Sequence, residues 1–231
     1  MNITWLGQGG FILELGEKRI CIDPYLSNSV AEDGKFERLV PIPVPPEELD
    51  VDLIIATHDH KDHLDEETIK DTDFEQILYA GPEPCYHHFK KLGIQEDSLV
   101  LLGIGDRYQL DNITFYGVYA DHSPGSIGLV IEFNGLTLYL VGDSRYNQRL
   151  LEVKSFNPDI MVICINGKMG NMDYLEAATL AKKLEPAYAI PCHYGMFAEN
   201  TEDPSKFRKE LTGSGINYLD PVFNNSIHVE L

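Results

Sequence analysis

The chain has 231 residues, 43% of them hydrophobic, with 18 Lys and Arg against 37 Asp and Glu and a net charge of −19. Length and composition suffice for one domain with a sizeable core, and residues 1–231 are read as a single domain. The acidity excludes a general binder of nucleic acid or of anionic membranes, which such a chain repels at long range.

The first residues, "MNITWLGQGGFILELGEKR", read as strand, glycine turn and strand rather than as a signal peptide. No apolar stretch approaches the roughly 20 residues of a membrane span. The predicted strands "NITWL", "FILEL" and "RICID" form a meander. Residues 28–50 carry four prolines and little periodicity, which predicts a long functional or mobile loop. "VDLIIAT" is a continuous apolar run, the mark of a strand buried on both faces. A short helix near 65–70, a strand at "QILYA" and a helix over "GPEPCYHHFKKLG" follow, with Pro82 near the start of that helix and Gly93 as its stop.

The second half opens with strands "SLVLL", "RYQL" and "NITFYGVYA". "IGLVIEFNGLTLYLVGDS" reads as a hairpin turning at Asn134-Gly135. A helix over "NQRLLEVKSF", a buried strand "DIMVICI", an amphipathic helix "MDYLEAATLAKKLEP" and a strand "AYAIP" come next. The spacing then predicts a helix "DPSKFRKEL" capped by Asp203, and closing strands "GINYLD" and "SIHVEL". Strands interspersed with helices in both halves predict an α/β domain of two sheets flanked by helices. The four cysteines, Cys21, Cys85, Cys164 and Cys192, lie far apart in or beside apolar runs, as reduced core thiols of a cytoplasmic protein do.

Five predicted strands end in the same way: an apolar run stops and a polar, ligand-type side chain follows. These ends carry His58, His60, Asp62 and His63; then Asp121-His122; then Asp143; then Asn166; then His193. Side chains at strand ends stand on a rigid base and converge on one rim of a sheet. His58 and His60 are two apart, so both point to one side of an extended segment. A turn of the chain then presents Asp62 and His63 to a second centre. His122 completes the first set, His193 the second, and Asp143 has two oxygens with which to bridge them. Imidazole and carboxylate together suit two divalent metal ions, Mn²⁺ or Zn²⁺, with Fe²⁺ also compatible. His87 and His88 read as ordinary residues of a helix surface, His228 as part of a terminal strand, and Lys61 as pointing to solvent. Asp23, after the third strand, is either a turn former with Pro24 or the group that fixes a ligand histidine's tautomer.

The run Thr57–His63, "THDHKDH", with His122, "GDS" at 142–144 and the late His193, resembles the metallo-β-lactamase superfamily. The stretches "TWLGQGG", "CIDPYLS", "YAGPEPC", "LYLVGDSRY" and "IPCHYGMFAENTEDPSKF" are most similar to its L-ascorbate-6-phosphate lactonase-like branch. The resemblance spans nearly the whole chain. It implies a four-layer αββα sandwich with the metals at one edge. A histidine at His60 separates it from the flavodiiron branch, where that position is usually glutamate.

The expected activity is hydrolysis in which a cation pair lowers the pKa of a shared water, acting on a lactone or phosphorylated sugar-derived metabolite. Asp62 or Asp143 orients the nucleophile or carries its proton. Lys168, Asn166, Arg145 and Tyr194 are the candidate substrate-binding residues, facing a small anionic substrate. A phosphodiesterase and a non-catalytic metal-dependent sensor or scaffold are the competing readings. A homo-oligomer is compatible with the sequence, which does not specify one.

Overall fold

The structure, a computed structural model, describes residues 1–34 and 36–230. Lys35, in the predicted long loop, and Leu231, at the end of the last predicted strand, lie outside the described residues.

The first half builds one sheet. β1 (Asn2–Gly7), β2 (Gly10–Leu15) and β3 (Lys18–Ile22) form the antiparallel meander. β4 (Leu53–Ile55), β5 (Leu78–Gly81) and β6 (Leu99–Leu101) then add in parallel. The second half repeats this plan. β7 (Arg107–Leu110), β8 (Ile113–Tyr119), β9 (Ile127–Phe133) and β10 (Leu136–Leu140) are antiparallel. β11 (Ile160–Cys164), β12 (Tyr188–Cys192) and β13 (Asn217–Tyr218) follow in parallel. β14 (Ser226–His228) returns to pair with β1, so that each sheet has seven strands among the described residues. The Asn134-Gly135 turn between β9 and β10 has φ of 50° and 82°, the left-handed pair that a tight hairpin demands.

Strand alternation sorts the core. Leu53 and Ile55 of β4, Ile20 and Ile22 of β3 and Ala80 of β5 face the second sheet. Ile54, Cys21 and Tyr79, one residue out of phase, face outward with Ile69 of α2 (Glu66–Lys70) and Phe89 of α3 (Glu83–Lys91). The outer face of the second sheet takes Ala177, Leu180 and Ala181 of α4 (Tyr174–Leu184) and Phe207 of α5 (Pro204–Glu210). The result is the expected αββα order. Asp173 and Glu176 form a capping box at α4, and Asp203 caps α5 by accepting from the Ser205 N–H. All four cysteines are free and buried, and burial raises each thiol, that of Cys164 to about 12. Among the described residues no helix is long and apolar enough to cross a membrane.

Two segments take forms that the sequence does not specify. The expected helix over 147–156 is a 3₁₀ helix, Gln148–Phe156. Its buried residues Leu150 and Val153 are three apart, the 3₁₀ period, so the tighter coil keeps both against the core. The long loop is also more structured than its prolines suggest. It contains a helical turn, α1 (Ser29–Glu32), and a 3₁₀ turn at Pro46–Glu48. The Arg38 guanidinium donates to the carbonyls of Tyr25, Ser27, Val40 and Pro41 and lies 4.7 Å over the Tyr25 ring. Leu39 N–H donates to Met196 O at 2.8 Å, and Phe36 packs on Phe197 at 5.7 Å between ring centroids. These contacts hold the loop against the rim of the sandwich where the strands end.

The passage from β6 to β7, which carries the chain between sheets, crosses β8 at Gly117. A Cβ there would lie 2.1 Å from Gly103 O, a clash with main chain. Gly117→Ala is therefore expected to destabilise the protein by about 1–3 kcal/mol. Urea unfolding is the check: the midpoint should fall with the slope unchanged.

Candidate metal centre

The strand ends converge as a consequence of how each strand is terminated. β1 is followed by Gln8, β3 by Asp23 and β12 by His193, each in the left-handed region with φ of 48°, 46° and 63°. β10 is followed by Val141 and then by Gly142 with φ of 69°. Such residues reverse the chain abruptly and throw the neighbouring side chain across the sheet edge. Non-glycine residues accept this conformation only where surroundings enforce it.

All seven side chains expected as ligands meet at this edge. His58 Nε2 and His122 Nε2 each lie 3.1 Å from His60 Nδ1. On the other side, His63 Nε2 is 3.4 Å from His193 Nε2 and 3.9 Å from Asp62 Oδ2. Asp143 stands between the two groups. Its Oδ1 is 3.4 Å from His63 Nε2, and its Oδ2 is 3.1 Å from His193 Nε2 and 3.6 Å from His122 Nε2. Three trios, His58/His60/His122, His58/His63/Asp143 and Asp62/His63/His193, each have their donor atoms within 4.8 Å of one another. Four ligands at 2.0–2.1 Å in a tetrahedron stand about 3.3 Å apart. The observed separations bracket that value, so the donors fit divalent ions in both spacing and chemistry.

Asp23 orients two of these imidazoles at once. Its Oδ2 accepts from His63 Nδ1 at 2.7 Å and from the Thr57 hydroxyl at 2.6 Å. Thr57 Oγ1, having donated its proton, accepts from His58 Nδ1 at 3.1 Å. Thr57 N–H donates to Asp23 Oδ1 at 2.7 Å, which locks the carboxylate. The Nδ1 protons of both rings thus point away from the cluster, and both Nε2 atoms face it. His122 follows the same rule by donating from Nδ1 to Gly170 O at 3.2 Å.

The electrostatics show how closely the charges are matched. Burial opposes protonation of His63, yet Asp143, Asp23 and Asp62 together outweigh it and hold its pKa well above the ordinary value. Burial likewise opposes ionisation of Asp143, and His193 and His63 override it, leaving this carboxyl well below its usual range. Asp62 is lowered in the same way, with His63 and His193 outweighing burial. Burial pushes His58 well down, helped by the neighbouring His63, and lowers His122.

A cavity of about 370 Å³ opens on the centre. His60, Asp62, His122, Asp143 and His193 form its floor, and Val30, Phe36, Met169 and Phe197 its apolar wall. Asn200, a residue not anticipated, also lines it and accepts at 2.7 Å from Asn166 Nδ2. Asn166 thus supports the wall from behind. Lys61 lines the cavity too, and is not simply directed to solvent: its Nζ pairs with Asp33 at 2.6 Å, joining the histidine loop to the segment after α1. Arg145 is exposed, without a hydrogen-bond or ion-pair partner for its side chain among the described residues. Its Nη2 and His122 Nδ1 each lie 3.2 Å from the point a Gly170 Cβ would occupy, so the guanidinium flanks the centre. Lys168 is outside the lining, its Nζ on Glu199 O at 2.9 Å. Tyr194 is turned away altogether. The left-handed His193 points the next side chain to the opposite face, where Tyr194 packs on Trp5 at 4.8 Å between centroids, the rings tilted by 36°. His88, on the surface of α3, pairs with neighbouring acids: its Nδ1 bonds Glu66 Oε1 at 2.6 Å and its Nε2 lies 3.9 Å from Asp59. His228 lies in β14, as an ordinary strand residue.

A family model described as the beta-lactamase superfamily domain matches residues 2–193. The chain belongs to the metallo-β-lactamase superfamily. Relatives within it are named UPF0173 metal-dependent hydrolases. One from Sulfurisphaera tokodaii is 29% identical over 224 residues, covering 94% of this chain and 95% of that protein. Another from Caldivirga maquilingensis is 32% identical over 212 residues, covering 89% and 87%. The fold matches the crystal structure of an isothiocyanate hydrolase from Delia radicum gut bacteria, with a TM-score of 0.82, 22% identity and 99% of each chain covered. Metal-dependent hydrolysis is thus the class of chemistry, and the His/Asp clusters are capable of holding the metal.

Because one carboxylate steadies both His58 and His63, Asp23→Ala is expected to weaken divalent-ion affinity by about 10–100-fold. Competition for Zn²⁺ against a chromophoric chelator measures this directly. Unchanged affinity would mean that the hydrogen-bond chain through Thr57 does not orient the rings.

Proposed function

We propose that this metal-dependent hydrolase opens a small lactone or ester bearing an anionic group, with phosphorylated sugar-derived lactones as the substrate class. One observation carries the reading: two donor groups at metal-ligand spacing share Asp143 at the floor of a small, partly apolar cavity. His58, His60 and His122 would hold one ion, Asp62, His63 and His193 the other, and Asp143 would touch both. When bound, such a pair supplies Lewis acidity towards a carbonyl oxygen and lowers the pKa of a water.

The chain's own groups do the rest. Asp62 has a side chain 20% exposed and lies on the cavity floor, so it is placed to take the proton from the attacking water and return it to the leaving alcohol. Asp143, buried and shared, is left to structure the centre. Val30, Phe36, Met169 and Phe197 exclude bulk water and pack against the ring of the substrate. Arg145 is free to meet its anionic group, whereas Lys61 and Lys168 are already engaged. The resemblance to the ascorbate-phosphate lactonase branch supports the same substrate class.

The test is a substrate panel on protein loaded with Zn²⁺ or Mn²⁺, at about two ions per chain. It compares lactones with and without a phosphate or carboxylate, aryl esters, an isothiocyanate and bis(p-nitrophenyl)phosphate. Anionic lactones should be turned over, and Arg145→Ala should raise their KM by about 10–100-fold while sparing the neutral ones. Turnover of the phosphodiester alone would establish a phosphodiesterase instead. Two ions bound with no turnover of any compound would leave the sensor reading.

A further inference from the structure

The first strand end carries a residue that neither ligates in the proposed centre nor belongs to the apolar core. Gln8 follows β1, is fully buried, and adopts φ of 48°. Its Nε2 donates to Asp62 Oδ2 at 2.9 Å and lies 3.4 Å from both ring nitrogens of His193. Its carbonyl accepts the His193 N–H at 3.0 Å and the Trp5 indole N–H at 3.0 Å. The next residue, Gly9, passes so close to His63 that a Cβ would meet its Cε1 at 2.7 Å. Two residues of one turn therefore touch all three members of the Asp62/His63/His193 trio and none of the His58/His60/His122 trio.

Packing alone does not account for a glutamine here. Gln8 Oε1 is buried with no hydrogen-bond partner among the described residues. A half-satisfied buried amide is disfavoured against an apolar side chain of similar volume. The satisfied half is the one that faces the ligands, and it also fixes which way the amide lies, because Oε1 turned towards the Asp62 carboxylate would be repelled.

We infer that Gln8 is a positioning residue for one of two cation sites, holding Asp62 by its side-chain amide and the His193 backbone by its carbonyl. The inference rests on the reading of the centre as a two-ion site. Holding Asp62 Oδ2 on Gln8 restricts rotation of the carboxylate and keeps it beside His193, 3.7 Å from that ring's Nε2. Substitution removes the amide grip but leaves the main-chain bond to His193, so the side chain's share can be measured alone.

Gln8→Leu and Gln8→Met remove the donor at nearly constant volume. Zn²⁺ titration against a chromophoric chelator should show one equivalent weakened by about 10–100-fold and the other unchanged. The metal-free variants should melt within about 2 °C of the wild type or above it, since an unpaired buried oxygen has gone. A residue needed only for the fold would instead lower the metal-free melting temperature and leave both affinities alone. Wild-type affinity for both equivalents in either variant overturns the inference, as does equal weakening of both. Wild-type protein that binds fewer than two equivalents defeats the underlying two-ion reading rather than this assignment.

Discussion

The structure is organised around the packing of three carboxylates and five imidazoles, Asp23, Asp62 and Asp143 with His58, His60, His63, His122 and His193, at one edge of a sandwich. Groups of like charge so close together, most of them buried, are tolerable only if their charges interleave. They do: Asp143 sits against His63, His122 and His193, and Asp23 sits behind His63. In the metal-free chain this drives His63 towards its protonated form, a positive charge in the middle of an acidic cage. A divalent ion supplies the same charge more fully and satisfies lone pairs that a proton leaves facing one another.

The fold serves that constraint through its strand ends. Each half of the chain builds an antiparallel meander and then adds parallel strands, and the two sheets face each other across one core. Parallel strands bring their carboxyl ends to a common rim, so β3, β4, β10 and β12 deliver Asp23, the histidine loop, Asp143 and His193 to one place. Left-handed residues at Gln8, Asp23 and His193 complete the delivery. Each costs of order 1–3 kcal/mol of local strain, and the hydrophobic cores on both faces of the sheets over-determine the backbone enough to hold them. The loop bearing Val30 and Phe36, fixed by Arg38 and by the pair Lys61–Asp33, then gives the rim a wall.

Much of this was legible in the sequence, for local reasons. The H-x-H-x-D-H run declares itself because all four donors lie within one turn of chain. His122, Asp143 and His193 could be found because an apolar run followed at once by a polar side chain marks a strand end. Residue types alone leave Asp23 between turn former and tautomer control, and its bonds to His63 and, through Thr57, to His58 are contacts of the second kind. Other features depend on conformation that residue types do not encode. Tyr194 adjoins His193 in sequence, but a positive φ sends it to the far face, against Trp5. Gln8 was hidden inside what reads as a glycine turn, although "GQGG" ends a strand as the recognised ligand segments do. The cavity wall joins Val30 and Phe36 to Met169 and Phe197 across most of the chain, a pairing that no local pattern announces.

The central claim is that these strand ends form one seat for two ions. Anomalous diffraction from crystals equilibrated with Zn²⁺ or Mn²⁺, recorded at the metal's absorption edge, tests it most directly. The account predicts two peaks, one enclosed by His58, His60 and His122, the other by Asp62, His63 and His193, with Asp143 in contact with both. A single peak at saturating metal, or peaks away from these residues, would contradict it.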